Sequence, residues 1–235
     1  MVKTPIAQPD YETKPIDYFE GARPEMLPFI PAHCRRLLDV GCGAGGFGAS
    51  IKRSREIEIW GVEPVESAAA KASAKLDRVI NGPFDSEIGL PAGTFDCIVF
   101  NDVLEHMAVP EQALRHAKVL LSPGGVIVAS IPNIRSFPVL WQLVAHARWE
   151  YVDAGVLDKT HLRFFTKSSI ENMFTTEGYS LESICGINAY AGTGGPGPSR
   201  SLWGAYKLVN ALLLGKFADM KYIQFAVVAK TAPHL

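Results

Sequence analysis

Apolar and polar positions change between two periods along this chain, as expected when strands and helices follow one another. A first apolar run ends near Val40, and later runs cover residues 58–62, 78–84, 95–100, 126–131, 180–188 and 222–230. Residues 67–76, 110–121, 166–179 and 202–217 have helical spacing or composition. Strands that alternate with helices predict an α/β fold: a doubly wound, Rossmann-like sheet of seven strands.

A glycine-rich turn follows the first strand, in the segment R-R-L-L-D-V-G-C-G-A-G-G-F-G at residues 35–48. Glycine permits positive φ angles and close approach of the backbone to a ligand. The spacing fits the dinucleotide pattern G-x-G-x-x-G, and it equally fits D-x-G-x-G-x-G beginning at Asp39. Both patterns predict a nucleoside ligand at the start of the following helix.

An acidic residue stands where the second predicted strand ends. Glu63 lies 22 positions beyond Gly41. In nucleotide-binding sheets of this type, a carboxylate about 20 residues past the glycine turn binds the ribose hydroxyls. The position therefore predicts that Glu63 holds a ribose diol.

Length and composition indicate one domain. The 235 residues are 48% hydrophobic, with a formal net charge of −1, which argues against nucleic acid as a main partner. We divide the domain into an N-terminal arm (1–33), a cofactor-binding half (34–133), a lid insertion (134–165) and a C-terminal part (166–235). Four cysteines without a C-x-x-C pair, and a start without a signal-peptide pattern, favour a reduced, cytoplasmic protein.

The insertion is longer than a plain connection between a strand and a helix, and such insertions are usually functional. Its aromatic residues, Trp141 among them, predict a helical lid with an apolar face towards a substrate. Tyr18 or Arg23 of the arm is expected to help close the site. Arg163 could hold an acidic group on the substrate or pair with Asp158.

Four segments together resemble the class I S-adenosylmethionine-dependent methyltransferases. They are L-L-D-V-G-C-G-A-G-G-F, F-D-C-I-V-F-N-D-V-L-E-H, L-L-S-P-G-G-V-I-V-A-S-I-P-N and L-D-K-T-H-L-R-F-F-T. The resemblance covers roughly residues 17–230. The last segment is similar to a bacterial branch whose members often accompany polysaccharide and secondary-metabolite biosynthesis.

The resemblance implies that S-adenosylmethionine is the cofactor and S-adenosylhomocysteine the product. It places Gly41, Gly43 and Gly45 against the methionine and ribose portions, with Asp39 anchoring the loop. Asn101 is expected beneath the sulfonium and amino-acid portion. Adenine is expected to be held either by Asp85 or by Phe84 with backbone atoms.

The predicted reaction is methyl transfer to an oxygen of a small molecule, most simply a sugar or secondary metabolite. A neutral histidine suits removal of the hydroxyl proton near pH 7, and His161 is the first candidate base, with His106 the second. N-methylation and a non-catalytic scaffold are the alternatives. A dehydrogenase is disfavoured because no tyrosine precedes a lysine by four positions.

No metal is expected, because the histidines show no paired ligand spacing. The amphipathic stretch at 202–217 predicts a helix that packs against the sheet, with a homodimer as the alternative, and no membrane contact is expected. The family resemblance also implies that the last strand, at residues 222–230, is antiparallel.

Overall fold

The computed structural model describes residues 21–190 and 200–232. Its centre is one seven-stranded sheet in the order β3-β2-β1-β4-β5-β7-β6. The strands are β1 (Arg36–Val40), β2 (Glu58–Glu63), β3 (Arg78–Asn81), β4 (Phe95–Asn101), β5 (Leu121–Pro132), β6 (Tyr179–Ala189) and β7 (Tyr222–Thr231).

The strand directions confirm the predicted architecture. Strands β1 to β5 pair in parallel with their neighbours, whereas β7 runs antiparallel to both β5 and β6. Parallel strands all end at the same edge of the sheet. The loops after β1, β2 and β4 therefore meet there, which is where open α/β sheets bind ligands.

Six α-helices surround the sheet in the described part of the chain. They are α1 (Gly46–Lys52), α2 (Glu66–Ala72), α3 (Pro110–Leu120), α4 (Phe137–His146), α5 (Lys167–Thr176) and α6 (Arg200–Leu212). Short 3₁₀ helices lie at Pro24–Phe29, Leu104–His106 and Ala218–Lys221. Helix α5 begins directly after Thr166, whose hydroxyl caps it by accepting a hydrogen bond from the Ser169 N–H.

The core lies on both faces of the sheet, because side chains alternate along each buried strand. In β1, Leu38 and Val40 join one apolar cluster while Leu37 joins the other. Strand β4 does the same, with Phe100 on the first face and Val99 on the second. Continuous apolar runs are thus explained by helices that cover both faces.

Several predicted boundaries were wrong, among them the end of α2, which stops at Ala72, and the end of α5, which stops at Thr176. Three others have a local reason. β3 stops at Asn81, because its partner β2 ends opposite it at Glu63. β5 begins at Leu121, which already pairs with Phe95, so the strand starts before the glycines at 124 and 125. Helix α6 ends early because Leu214 and Gly215 both adopt positive φ angles.

The insertion between β5 and α5 contains helix α4, as predicted, but this helix has no buried residue. Phe137 stacks on Tyr206 of α6, with ring centroids 4.9 Å apart. Helix α4 is therefore held by aromatic contacts with α6. None of the helices described combines the length and apolar character needed to span a membrane.

The packing of α2 against the glycine turn predicts a stability difference between two alanine substitutions. Gly45 and Gly89 have φ angles of 76° and 70°, so alanine costs about 1–2 kcal/mol at either position. A Cβ on Gly45 would also lie 3.1 Å from the Ala72 backbone, whereas one on Gly89 meets nothing within 4 Å. Gly45→Ala should lower the free energy of unfolding by at least about 1 kcal/mol more than Gly89→Ala.

Urea unfolding of the unliganded protein measures this difference. Equal losses in the two variants would show that the contact with α2 contributes nothing beyond the backbone conformation.

Candidate active site

A cleft of 1370 Å³ opens at the carboxyl edge of the sheet. The turns after β1, β2 and β4 form its floor and one wall. The segment from Gly155 to Leu162 supplies further lining from the insertion, and Arg23 contributes from the segment before β1. The cleft therefore lies at the predicted edge, and parts of the chain far apart in sequence enclose it.

The glycine turn is shaped by backbone hydrogen bonds to β2. The N–H groups of Gly41 and Cys42 both donate to the Val62 carbonyl, at 2.8 and 3.1 Å. Gly41 has a φ of 68°, and a Cβ there would lie 2.6 Å from Cγ2 of Val103. Glycine is required at this position because both the backbone conformation and the neighbouring side chain exclude a larger residue.

Glu63 joins the glycine turn to the end of β2. Its Oε2 accepts a hydrogen bond from the Gly43 N–H at 2.8 Å, and its Oε1 accepts one from the Val65 N–H at 2.9 Å. The side chain is buried, and it lines the cleft. Because a carboxylate offers about four lone-pair sites, each oxygen can accept a further bond from a hydroxyl in the cleft.

Asp39 and Asn101 bring polar atoms into the cleft without partners among the described residues. Asp39 Oδ2 and both side-chain polar atoms of Asn101 are buried and make no such hydrogen bond. Burial, with the charge of Glu63 added, raises the pKa of Asp39 to about 7. Buried polar groups in native proteins are normally paired, so these atoms indicate a ligand that supplies hydrogen bonds or positive charge.

Arg23 and Asp102, which both line the cleft, form the centre of a polar network. Asp102 adopts a positive φ of 54° and pairs with the Arg23 guanidinium. Its other oxygen accepts hydrogen bonds from Ser130 at 2.9 Å and from Gln224 at 2.7 Å. The network ties the segment before β1 to β4, β5 and β7, so this segment is fixed beside the cleft.

A cluster of three titratable side chains lies just beyond the end of β4. It consists of Glu105, His106 and His161. The rings of the two histidines lie 4.7 Å apart, centroid to centroid, and His161 Nε2 is 4.0 Å from Glu105 Oε1. The Glu105 carbonyl accepts hydrogen bonds from the N–H groups of Leu162 and Arg163, at 2.8 and 3.0 Å. These backbone bonds hold the His161 segment against the turn that carries Glu105.

The hydrogen bonds of both histidines define their ring orientation. His161 Nδ1 lies 3.0 Å from the Val156 carbonyl, and His106 Nδ1 lies 3.2 Å from the Thr160 carbonyl. A carbonyl can only accept, so each Nδ1 carries the proton, and the lone pair of each neutral ring is on Nε2. Burial raises the pKa of Glu105 to about 8.

The other end of the cleft is aromatic. Phe84 packs against His116 with ring centroids 4.9 Å apart, and it meets Phe100 edge-on at 5.7 Å. Asp85 lies beside them, exposed, with Oδ1 accepting a hydrogen bond from the Glu87 N–H. Burial lowers the pKa of His116, against the opposing effect of Asp85. Neutral rings next to a carboxylate suit a flat heteroaromatic group with an amino donor.

The structure brings most of the predicted site residues together. Those that line the cleft are Asp39, Gly41, Gly43, Glu63, Asp85, Asn101, His106 and His161. Gly45 is not among the lining residues. It lies directly before α1 and packs against Ala72, the last residue of α2. Tyr18 lies outside the described residues.

Arg163 and Trp141 do not line the cleft either. Arg163 is exposed, and its guanidinium donates to the backbone carbonyl of Ala108. Trp141 packs between Phe137 and His146, with ring centroids at 6.5 and 5.6 Å. The cleft is covered by the loop at 155–162 and not by the helix of the insertion.

Glu105 and His116 were not predicted as site residues. Glu105 stands in N-D-V-L-E-H, a segment that carried the family resemblance but gave this side chain no role, and His116 stands in an ordinary amphipathic helix. Glu105 is 1% exposed. It becomes a candidate site residue only because the fold brings His161, more than 50 positions later, within 4.0 Å of its carboxyl group.

Comparison with known proteins agrees with this geometry. A family described as methyltransferase domain matches residues 14–184. A ubiquinone biosynthesis O-methyltransferase from Chromobacterium violaceum is 27% identical over 76% of this chain and 79% of its own length. Its counterpart from Psychrobacter arcticus is 28% identical over 66% of this chain, and the match covers 62% of that protein.

A solved structure, a SAM-dependent methyltransferase from Archaeoglobus fulgidus, has the same fold. It superposes with a TM-score of 0.60 at 20% identity, over 92% of this chain and 89% of that one. The matched family spans the glycine turn, the acid after β2 and the turn after β4. This chain belongs to the methyltransferase-domain family and is an S-adenosylmethionine-dependent methyltransferase.

Proposed function

We propose that this enzyme transfers a methyl group to a hydroxyl oxygen of a small ring-bearing molecule, most specifically a phenolic or quinol hydroxyl. The observation that carries the proposal is the pairing of two half-sites in one cleft. One half offers the buried polar atoms of Asp39, Glu63 and Asn101, and the other offers the cluster at Glu105.

The first half fits S-adenosylmethionine. We assign Glu63 to the ribose diol, because its two oxygens are already oriented by backbone N–H groups and keep acceptor capacity towards the cleft. Gly41 and Gly43 leave room for the ligand beside them. Phe84 and His116 form the flat surface for adenine, and Asp85 is placed to accept from its amino group.

The charge of the cleft supports this assignment. Asp39, Glu63 and Asn101 line the same wall, and the two acids lack a basic partner among the described residues there. A ligand that carries an ammonium and a sulfonium group supplies the missing positive charge. When bound, S-adenosylmethionine provides an electrophilic methyl group, and the wall around Asn101 positions it.

The proposed acceptor follows from the relatives and from the apolar lining. Two relatives are named for ubiquinone biosynthesis, and ubiquinone is a substituted benzoquinone. The second half of the cleft carries Met107 and Val156 beside the polar cluster. Apolar walls with one polar corner suit an aromatic ring with a hydroxyl, so we propose this class in place of the sugar expected from the sequence.

The residues of the second half act by orientation and proton removal. Methyl transfer to oxygen is an in-line displacement, for which holding the acceptor against the methyl carbon supplies much of the acceleration. His161 directs a basic Nε2 towards Glu105 and the cleft, which suits it to take the hydroxyl proton. A positioned base of this kind typically contributes about 10²–10⁴-fold to the rate.

Asp39 should make the unliganded protein less stable as the pH rises. The carboxyl binds its proton more tightly when folded, because burial raises its pKa from 3.8 to about 7. The stabilising contribution is therefore complete below about pH 4 and is lost as the pH rises towards 7. Between pH 5 and 8 the free energy of unfolding of the parent should fall as Asp39 ionises. Asp39→Asn cannot ionise, so its free energy of unfolding should fall by less, with a difference on the order of 1 kcal/mol.

Urea unfolding across this pH range measures the effect, and Asp153→Asn, on an exposed carboxyl, is the control. Parallel pH curves for Asp39→Asn and the parent would contradict the assigned cause.

Glu63→Ala should weaken binding of S-adenosylhomocysteine by at least about 10-fold, since it removes the proposed ribose acceptor and the anchor of the Gly43 N–H. Isothermal calorimetry measures the affinity. Glu66→Ala removes the same charge three positions away, at an exposed site in the first turn of α2, and should bind as the parent does. Equal affinity in all three proteins would remove Glu63 from the ribose site.

Transfer of labelled methyl to a panel of phenols, quinols, amines and sugars tests the function itself. We expect product with ring hydroxyls, and His161→Ala should lower turnover by at least about 100-fold while leaving cofactor affinity nearly unchanged. The control is His33→Ala, an exposed histidine before β1. Methylated amines or sugars alone would overturn the acceptor class. Tight cofactor binding without transfer to any acceptor would favour a scaffold.

A further inference from the structure

We propose that Glu105, His106 and His161 together bind one divalent transition-metal ion in the cleft. One ligand atom from each residue lies within 4.8 Å of the other two. Zinc bonds to nitrogen and oxygen of about 2.0–2.2 Å place ligand atoms up to about 4 Å apart. His161 Nε2 and Glu105 Oε1 are 4.0 Å apart, so small side-chain rotations complete the site.

A second observation points to a ligand at the same place. Glu105 is 1% exposed, and neither of its carboxylate oxygens has a hydrogen-bond partner among the described residues. A buried carboxylate in this state is costly unless a hydrogen bond or a cation compensates it. The charge of Arg23 offsets part of this cost, and the two imidazole rings are placed to share a bound cation with Glu105.

The surroundings of the histidines match those of metal ligands. Ligating histidines almost always donate their other ring N–H to a carbonyl, a carboxylate or water. His161 donates from Nδ1 to the Val156 carbonyl, and His106 donates from Nδ1 to the Thr160 carbonyl. Both rings therefore present Nε2 as the coordinating atom.

The segment that carries these carbonyls is held in place by its own hydrogen bonds. Thr160 donates from its N–H and its hydroxyl to Asp158 Oδ1, at 2.8 and 2.7 Å. Asp158 is 1% exposed. The loop at 155–162 is thus ordered by its own hydrogen bonds, and His161 is held over Glu105 before any ion binds.

The donor set selects the class of ion. Two imidazoles with one carboxylate suit zinc, iron or manganese, whereas magnesium and calcium prefer oxygen donors alone. Three protein ligands also leave at least one coordination position open. Because all three residues line the cleft, the open position faces the space assigned to the acceptor.

The role of the ion rests on the proposed function. An acceptor hydroxyl that binds at the open position would have a lowered pKa, and its proton would pass to solvent. In the ion-bound enzyme His161 is therefore a ligand, which replaces the role as base proposed above for the enzyme without the ion. The acceptor oxygen then forms the C–O bond while the bond from the methyl carbon to sulfur breaks. The bonding pair stays on sulfur, and S-adenosylhomocysteine leaves.

The test begins with metal binding alone. The full-length protein is stripped with a chelator, dialysed and titrated with zinc, with magnesium as the comparison ion. We expect one zinc ion per chain, and affinity at least about 100-fold weaker in Glu105→Gln and in His161→Ala. His33→Ala is the matched control and should bind zinc as the parent does. Unfolding curves and S-adenosylhomocysteine affinity show that the variants are folded.

Cobalt binding to the parent protein gives an independent measurement. It needs no variant, so misfolding of a variant cannot affect the result. We expect a visible ligand-field spectrum, and X-ray absorption with two imidazole nitrogens in the first shell. Absence of stoichiometric binding, or binding that survives both variants unchanged, would overturn the site.

Turnover with and without the ion separates this proposal from the proposed function. Loss of methyl transfer on chelation, restored by zinc or manganese, supports the role of the ion. Methyl transfer that is identical in the stripped enzyme retains the proposed function and rejects the metal role, leaving His161 as a base. Metal binding without transfer to any acceptor retains the site and rejects the proposed acceptor.

Discussion

The structure around the cleft depends on one buried carboxylate, Glu63, which holds two backbone turns in register. Its two oxygens accept N–H groups from Gly43 and from Val65, so the turn after β1 and the turn after β2 cannot move independently. Hydrogen bonds from N–H groups to an ionised carboxylate are stronger than neutral ones, and burial strengthens them further. The same group is placed to receive a ligand, so the shape of the glycine turn and the binding site are coupled.

That coupling comes with an electrostatic penalty in the unliganded protein. Asp39, Glu63 and Glu105 are all buried carboxyl groups at the same edge of the sheet, and burial is the largest cause that raises the pKa of each. Strained or unsatisfied groups persist only where the rest of the fold is stable enough to hold them, and they concentrate at functional sites. Here the apolar core on both faces of the sheet provides that support, and positively charged ligands relieve the penalty.

Two anchors of different kinds enclose the cleft. The pair between Arg23 and Asp102 fixes the segment before β1 to the sheet, whereas backbone bonds from Leu162 and Arg163 to the Glu105 carbonyl fix the insertion. Both anchors lie next to side chains that carry the proposed chemistry. Positioning groups by the backbone rather than by long flexible side chains keeps the geometry close to a reactive arrangement.

The amino-acid sequence by itself determined the sheet, its order of elements, and the glycine turn and acid that line one half of the cleft. These features follow from local patterns: apolar strands, a glycine turn that needs positive φ, and an acid about 20 residues beyond it. The other half was decided by tertiary structure, because Glu105 and His161 meet only through contacts across more than 50 residues. The same reason explains the misplaced substrate residues, since the directions of Arg163 and Trp141 depend on neighbours that periodicity does not show.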